Sequence, residues 1–224
     1  MREIIISGID GSGKSTIASH IMALQRRRGL RVKVIWFRWR ALTLYVLYVY
    51  SRLRRLYVKF YHPVVRRWFL IHVFHLDSVT VFLYPYLLFL DLTIYYILNR
   101  FFLLMRGVKV VIYDRFFLDA LVDSLYESRR CSRCVLRLYL AMHSKSSRSV
   151  VLDVDIKTAV ERKKDIVSLK ELEFKRRLYL LLAKHMNIPV VNARKSVDDV
   201  FQEVCEKLGL GIVKTSHGIE HSKA

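Results

Sequence analysis

The sequence predicts an α/β fold of three layers, in which a parallel β-sheet has helices on both faces. Three observations predict this architecture. The apolar run at residues 4–6 has the composition of a buried strand, and a glycine-rich turn and a segment with helical spacing follow it. Further apolar runs and helical segments alternate along the chain. The 224 residues, 53% of them hydrophobic, suit one domain with a buried sheet.

The glycine-rich turn at residues 8–15 reads Gly-Ile-Asp-Gly-Ser-Gly-Lys-Ser. Between a strand and a helix, this pattern indicates a phosphate-binding loop rather than a plain glycine turn. The glycines let backbone N–H groups point at phosphates, Lys14 reaches the β- and γ-phosphates, and the Ser15 hydroxyl holds Mg²⁺. The sequence therefore predicts a P-loop NTPase-type fold. The nucleotide-binding residues of the loop are Gly8, Ile9, Asp10, Gly11, Ser12, Gly13, Lys14, Ser15 and Thr16.

The remaining elements follow in the order of the chain. The first helix ends in arginines and Gly29, and a second strand at 31–37 completes a βαβ unit. The further predicted strands are 107–114, 150–154 and 189–191, and the further predicted helices are 116–143, 156–164, 172–186 and 198–208. We interpret residues 1–213 as a single domain and residues 214–224 as a polar tail.

Residues 38–106 are apolar, aromatic and basic together, and they predict a helical region. Residues 51–60 keep apolar residues near helical spacing, with basic residues between them. The apolar stretch at 79–98 is long enough to cross a membrane, but an ionised Asp91 near its centre would cost about 3 kcal/mol. A crossing would also split the domain, so we favour a buried or interfacial helix. Contact of residues 41–105 with a membrane surface and a homodimer interface stay open.

The chain carries 39 lysines and arginines against 19 acids, a net charge of +20. Such a field attracts nucleotides, nucleic acid or anionic membranes. No recognisable nucleic-acid module is present, which makes nucleic acid the least favoured partner. Cys131 and Cys134 have the spacing of half a zinc site without a second pair, which favours plain helical neighbours. Reduced thiols and a first strand that starts close to Met1 favour a cytoplasmic location.

Five segments in order resemble the thymidylate kinase family of P-loop nucleoside monophosphate kinases. They are residues 8–16, Tyr-Asp-Arg-Phe at 113–116, Leu-Asp-Val-Asp at 152–155 with the glutamate and arginine at 161–162, residues 172–179, and Val-Asn-Ala-Arg-Lys-Ser-Val at 191–197. The resemblance implies transfer of a phosphoryl group from ATP to dTMP, giving ADP and dTDP in dTTP biosynthesis, with Mg²⁺ as the cofactor.

On the donor side, the resemblance implies that the phosphate loop binds ATP and that Arg194 packs against the adenine. Lys14 and Arg162 would be catalytic, with Arg162 closing over the transferring group in a short lid at 162–171, together with Lys163 or Lys164. A solvated helix face is the alternative for Arg162 and its neighbouring lysines.

On the acceptor side, the resemblance implies that Asp10 contacts the acceptor sugar hydroxyl or a metal-bound water. Arg115 would be catalytic and clamp phosphates between the two substrates, and an ion pair with Asp114 is its alternative role. Asp114 would orient Arg115 or the ligand shell of Mg²⁺. Ser15 would bind the same ion. Arg38 would hold the acceptor phosphate.

Three departures from the family pattern fall on the acceptor side. Trp39 and Arg40 follow Arg38 where the family has Glu-Pro, and Leu92 stands where the family has an arginine. Residues 41–83 are also richer in aromatic residues and arginines than the family. Two alternatives therefore remain: a P-loop kinase with a different nucleotide or an apolar acceptor, and a basic P-loop protein associated with membranes or nucleic acid.

Overall fold

The computed structural model describes residues 1–38, 42–62, 66–130, 132–144, 148–164, 166 and 168–211. A five-stranded parallel sheet and a separate two-stranded antiparallel hairpin contain all strands of this part of the chain. The strands are β1 (Arg2–Gly8), β2 (Val32–Trp36), β3 (Tyr57–His62), β4 (Arg67–His72), β5 (Val110–Asp114), β6 (Ser149–Asp153) and β7 (Val190–Asn192). The parallel sheet has the order β2-β5-β1-β6-β7, and β3 and β4 form the hairpin.

Eight α-helices and one short 3-10 helix, at Phe74–Leu76, connect the strands in the described residues. The helices are α1 (Lys14–Arg27), α2 (Leu44–Leu53), α3 (Ser78–Met105), α4 (Phe117–Ser128), α5 (Arg133–Ser144), α6 (Ile156–Arg162), α7 (Leu169–His185) and α8 (Val197–Lys207).

Helices cover both faces of the parallel sheet. All five residues of β5 are buried, although successive side chains of a strand point to opposite faces. α1 packs on β1, β2 and β5 and also contacts α8, while α4 and α7 pack on each other and on the sheet. A parallel sheet buried on both faces explains why the strands are continuous apolar runs in the sequence. The predicted three-layer α/β fold is confirmed.

The five parallel strands bring their carboxyl ends to one edge of the sheet. The phosphate loop begins at the end of β1, Arg38 follows β2, and Arg115 follows β5. Asp155 and Arg194 follow β6 and β7 in the same way. Ligands of open α/β sheets bind outside the carboxyl ends of the strands, and this edge therefore positions the candidate site.

The prediction that residues 116–143 are helical is confirmed for most of the segment, which forms the two helices α4 and α5. Arg129 ends α4 with a left-handed backbone, φ 52°. Cys134 is exposed on α5, and Cys131 lies outside the described residues, as does the tail at 214–224. Among the described residues, no group of three or more histidine, cysteine or acidic side chains is arranged to hold a metal ion.

The prediction of a helical region over 38–106 is wrong for residues 57–62 and 67–72, which form the two strands of the β3–β4 hairpin. Its antiparallel register pairs Lys59 with Leu70 and Tyr61 with Trp68. α2 ends at Leu53, so the helical spacing of residues 51–60 does not continue as a helix. The sequence Tyr-Val-Lys-Phe-Tyr at 57–61 is rich in β-branched and aromatic residues, which favour a strand.

The long apolar stretch lies in α3, which is long and apolar enough to cross a membrane. In this fold Asp91 is buried and accepts hydrogen bonds from the backbone N–H groups of Leu42, Thr43 and Leu44 at 2.8–3.1 Å. Asp91 therefore caps the N-terminus of α2, which compensates for the burial of its charge. Arg100, near the other end of α3, forms an ion pair with Glu3 of β1.

Candidate functional site

The phosphate loop closely approaches neighbouring backbone at two glycines. Gly8 and Gly11 have φ values of +141° and +83°, and a Cβ on either would stand 2.4 Å from the carbonyl oxygens of Leu152 and Ala159, respectively. Only glycine fits such positions without a shift of the backbone. The loop leads into α1, whose first turn contains no acidic residue. The N-terminus of α1 is therefore suited to an anion.

Lys14 is buried inside the loop, and its ammonium group donates hydrogen bonds to the carbonyl oxygens of Gly8 (2.8 Å) and Ile9 (2.7 Å). Burial and, secondarily, the nearby positive charge of Arg115 lower the pKa of Lys14 to about 8. A bound polyphosphate would oppose both effects by supplying negative charge.

Ser15 and Asp114 form a hydroxyl–carboxylate pair at the mouth of the loop. The Ser15 hydroxyl donates to Asp114 Oδ2 at 2.5 Å. The other carboxylate oxygen of Asp114 is buried and has no hydrogen-bond partner. Hard oxygen donors of this kind suit Mg²⁺. The side chains predicted to hold Mg²⁺ are therefore of the right chemistry for this ion, and its binding stays a prediction.

Arg115 and Asp10 form an ion pair beside the loop, and Lys163 Nζ lies 3.0 Å from the other Asp10 oxygen. Burial would raise the pKa of Asp10, but Arg115, Lys14 and Lys163 together hold it well below its usual range. Arg115 has a left-handed backbone, φ 72°. The structure therefore pairs Arg115 with Asp10, while Asp114 pairs with Ser15.

A cavity of about 600 Å³ lies over the phosphate loop, within the size range of small-molecule sites. Asp10, Asp114, Arg115, Arg38 and Arg162 line it together with loop residues 11–16. Ala193, Lys195 and Val197 also line it and belong to the segment at 191–197 that resembles thymidylate kinases, while the lining residues Trp36 and Val200 have no counterpart in the sequence analysis. Trp36 is exposed, whereas Ala193 and Val200 are buried, and single side chains of either kind give no sequence signal of their own.

Of the two arginines predicted on the donor side, Arg162 lines the 600 Å³ cavity and Arg194 does not. Arg162 lines the larger cavity, and its guanidinium donates to the carbonyl oxygen of Ala193 at 2.9 Å. Arg194 is largely exposed and does not line the cavity; its Nε lies 3.1 Å from Asp155 Oδ2. The contact of Arg194 with adenine stays a prediction, as does a lid at 162–171, of which residues 165 and 167 lie outside the described residues.

A second cavity, of about 150 Å³, also borders the Asp10–Arg115 pair. Asp10, Arg38 and Arg115 line both cavities. The second cavity also contains a charge network that the sequence analysis missed. Lys175 Nζ lies 2.7 Å from Asp123 and 2.6 Å from Glu171. We call the 600 Å³ cavity the donor cavity and the 150 Å³ cavity the acceptor cavity, for the sides of the predicted site that they occupy.

Burial affects two further carboxyl groups near the acceptor cavity. Asp119 is buried and accepts hydrogen bonds from Ser7, Tyr179 and the backbone N–H of Phe116 at 2.7–2.8 Å. These bonds fix the turn that carries Arg115. Burial raises the pKa of Asp119, and it raises the pKa of Glu127 to about 7 although Lys175 opposes the shift.

Leu92, one of the departures from the family pattern, lies beside residues that also line the acceptor cavity. Leu92 is buried and lies in a narrow space with Arg38, Arg115 and Asp123. The arginine that the family has at this position would bring a third guanidinium into that space. Trp39 and Arg40 lie outside the described residues.

The comparisons with known proteins bear on the fold. No protein-family model and no curated protein matches the sequence. Among solved structures, one that matches is deoxyadenosine kinase from M. mycoides with bound dATP, at 18% sequence identity and a TM-score of 0.52, covering 93% of this chain and 100% of that chain. The chain has an α/β fold of the P-loop NTPase type. At this identity the likeness extends to the fold and not to the substrate.

Proposed function

We propose that the protein is an ATP-dependent nucleotide kinase that transfers the γ-phosphoryl group of ATP to dTMP. The observation that carries the proposal is the Asp10–Arg115 pair, which lines both the donor cavity and the acceptor cavity. A group transferred between molecules in the two cavities would pass a guanidinium at this point. Fixed cations are the main contribution that a protein makes to phosphoryl transfer.

On the donor side, the loop backbone and Lys14 would hold the ATP phosphates. Ser15 and Asp114 would hold Mg²⁺, which neutralises charge on the phosphate oxygens when it is bound. Arg162, which lines the donor cavity, would approach the γ-phosphate. The buried position of Lys14 excludes water from its ammonium group and strengthens its attraction for phosphate.

On the acceptor side, Arg38 and Arg115 place two guanidinium groups at one cavity, which suits the dianionic phosphate of a nucleoside monophosphate. Asp10 holds Arg115 in position through their ion pair. The choice of dTMP among nucleoside monophosphates rests on the resemblance of the five segments to thymidylate kinases. A cytoplasmic location and a homodimer stay predictions from the sequence.

Steady-state assays of ADP release test the proposal with ATP, Mg²⁺ and a panel of acceptors. We expect turnover with dTMP above that with other nucleoside monophosphates. Lys14→Met serves as the inactive control, so that contaminating kinases are recognised. Release of ADP that does not depend on dTMP would reject the acceptor.

A nucleoside acceptor is the second candidate. One solved structure similar to this chain is a deoxyadenosine kinase, and Leu92 stands where the thymidylate kinase pattern has a cation. A nucleoside has no phosphate for Arg38, and Asp123 at the acceptor cavity is the group that would accept a hydrogen bond from its hydroxyl. Including thymidine and deoxyadenosine in the assay separates the two candidates, because turnover with a nucleoside and none with its monophosphate favours the second.

A further inference from the structure

The β3–β4 hairpin and the end of α2 before it form a distinct surface, which we call the basic hairpin (residues 52–72; 63–65 lie outside the described residues). Neither strand pairs with the parallel sheet. Side chains are exposed on both faces: Tyr61, Trp68 and Leu70 on one, and Val58 on the other. A lone two-stranded hairpin is marginally stable in water. The basic hairpin therefore gains from a surface that covers it.

The charge of this segment has one sign. No acidic residue occurs in the sequence between Asp10 and Asp77, while residues 52–67 contain five arginines and a lysine. Arg54, Arg55, Lys59 and Arg66 are exposed. A second copy of the chain packed here would bring the same cations together and pay a repulsion that nothing in the segment offsets. The partner is therefore anionic.

The apolar side chains of the basic hairpin decide between anionic partners. Trp68 is 69% exposed and Leu53, at the end of α2, is 79% exposed. Trp68 contacts Tyr61 with ring centroids 5.2 Å apart, and Lys59 and Leu70 lie on the same hairpin face. Tryptophan and tyrosine with flanking cations are the side chains that sit at a bilayer interface. Exposed leucine and valine bind hydrocarbon but offer nothing to a nucleic-acid backbone.

We propose that the basic hairpin binds the surface of anionic phospholipid membranes, with Trp68 and Leu53 entering the headgroup boundary and Arg54, Arg55, Lys59 and Arg66 contacting lipid phosphates. The inference is independent of the proposed kinase activity, because no residue of the basic hairpin lines either cavity. It makes the protein a peripheral membrane protein that keeps its nucleotide site in water.

Vesicle co-sedimentation tests the proposal with the full chain. We expect binding to phosphatidylcholine vesicles that contain phosphatidylserine, no binding to phosphatidylcholine alone, and release at high salt. The double substitution Arg54→Gln and Lys59→Gln lowers the partition constant about 25-fold, since each cation contributes about fivefold at an anionic surface. Arg26→Gln with Arg27→Gln, two exposed arginines at the end of α1, makes the same charge change elsewhere and serves as the matched control.

Trp68 reports on insertion directly. Its emission shifts to the blue on adding anionic vesicles, and the shift is lost in Trp68→Phe, while far-UV circular dichroism shows that the variant is folded. Equal loss of binding in the test and control arginine variants would overturn the proposal, as would equal binding to both vesicle types. Two further results would also overturn it: binding to single-stranded RNA without vesicle binding, and a dimer in sedimentation velocity that Trp68→Gln dissociates while vesicles are not bound.

Discussion

Replacing Gly11 with alanine tests how closely the phosphate loop lies against α6. The new Cβ would stand 2.4 Å from the carbonyl oxygen and 2.9 Å from the Cα of Ala159, which are both backbone atoms that cannot rotate away. Gly13 is a matched control in the same loop. It has nearly the same left-handed backbone, φ +86° against +83°, but its Cβ would meet nothing within 4 Å.

Gly11→Ala and Gly13→Ala both place an alanine in a left-handed backbone, and only Gly11→Ala also overpacks the loop against α6. A left-handed alanine costs about 1–2 kcal/mol at either position. Overpacking against backbone adds about 1–3 kcal/mol at Gly11 alone. We therefore expect Gly11→Ala to lower the free energy of unfolding by about 2–5 kcal/mol and Gly13→Ala by about 1–2 kcal/mol.

Equilibrium unfolding in urea, followed by circular dichroism, measures both changes. Gly29→Ala, at the end of α1, extends the control outside the loop, because Gly29 also has a left-handed φ of +73° and open space around its Cβ position. Because Gly29 lines neither cavity, Gly29→Ala should also leave the affinity for ADP unchanged. If Gly11→Ala and Gly13→Ala agree within about 0.5 kcal/mol, the range of neutral substitutions, the close approach of the loop to α6 is refuted.

Three other substitutions test the site and the cap. Lys14→Met should lower kcat at least about a hundredfold. Because the pKa of Lys14 is about 8, the ATP affinity of the unchanged protein should fall as the pH rises through that value, and titration calorimetry should show no such fall in Lys14→Met. Asp114→Asn should raise the Mg²⁺ concentration for half-maximal activity about 10–100-fold, whereas Asp198→Asn, an exposed control, should not; an unchanged Mg²⁺ requirement would remove Asp114 from the metal site. Asp91→Ala should lower the free energy of unfolding in urea by about 2–4 kcal/mol, because the cap of α2 is lost and buried N–H groups are left unpaired. Asp198→Ala, in the first turn of α8, is the control and should cost about 1 kcal/mol or less. A cost for Asp91→Ala no larger than that of the control would contradict the capping role.

The sequence predicts the parallel sheet well, because buried strands leave continuous apolar runs. Residues 110–114 are an example, since all five are buried. The order of the strands cannot be read in this way, because local periodicity contains no information on which strands pair. The hairpin was missed for a related reason. The apolar residues at 53, 56 and 60 fit helical spacing, while 57–61 also fit a strand, and local spacing does not decide between the two; in the structure α2 ends at Leu53.

The candidate site likewise contains residues that the sequence predicts and residues that it does not. Lys14, Ser15 and Asp10 belong to a local pattern whose spacing reflects the loop geometry, and the structure brings them together with Arg115. The Asp123–Lys175 pair joins α4 to α7, across 52 positions of sequence, and single charges on amphipathic helices look like solvated surface. Arg194 lies in a segment similar to thymidylate kinases, and its contact with adenine stays a prediction. In the structure its Nε lies 3.1 Å from Asp155 Oδ2, a contact that the sequence does not indicate.

The bond between Asp91 and the start of α2 has a consequence for synthesis of the chain. Thr43 precedes Asp91, its capping partner, by 48 residues in the sequence and therefore leaves the ribosome earlier. At 5–20 residues per second, translation delays the cap by about 2–10 s. For that time the nascent chain presents the apolar residues of α2 and the basic hairpin before α3 is available to pack on them. An elongation pause between the two segments would lengthen this exposure and increase the fraction of nascent chains that chaperones bind.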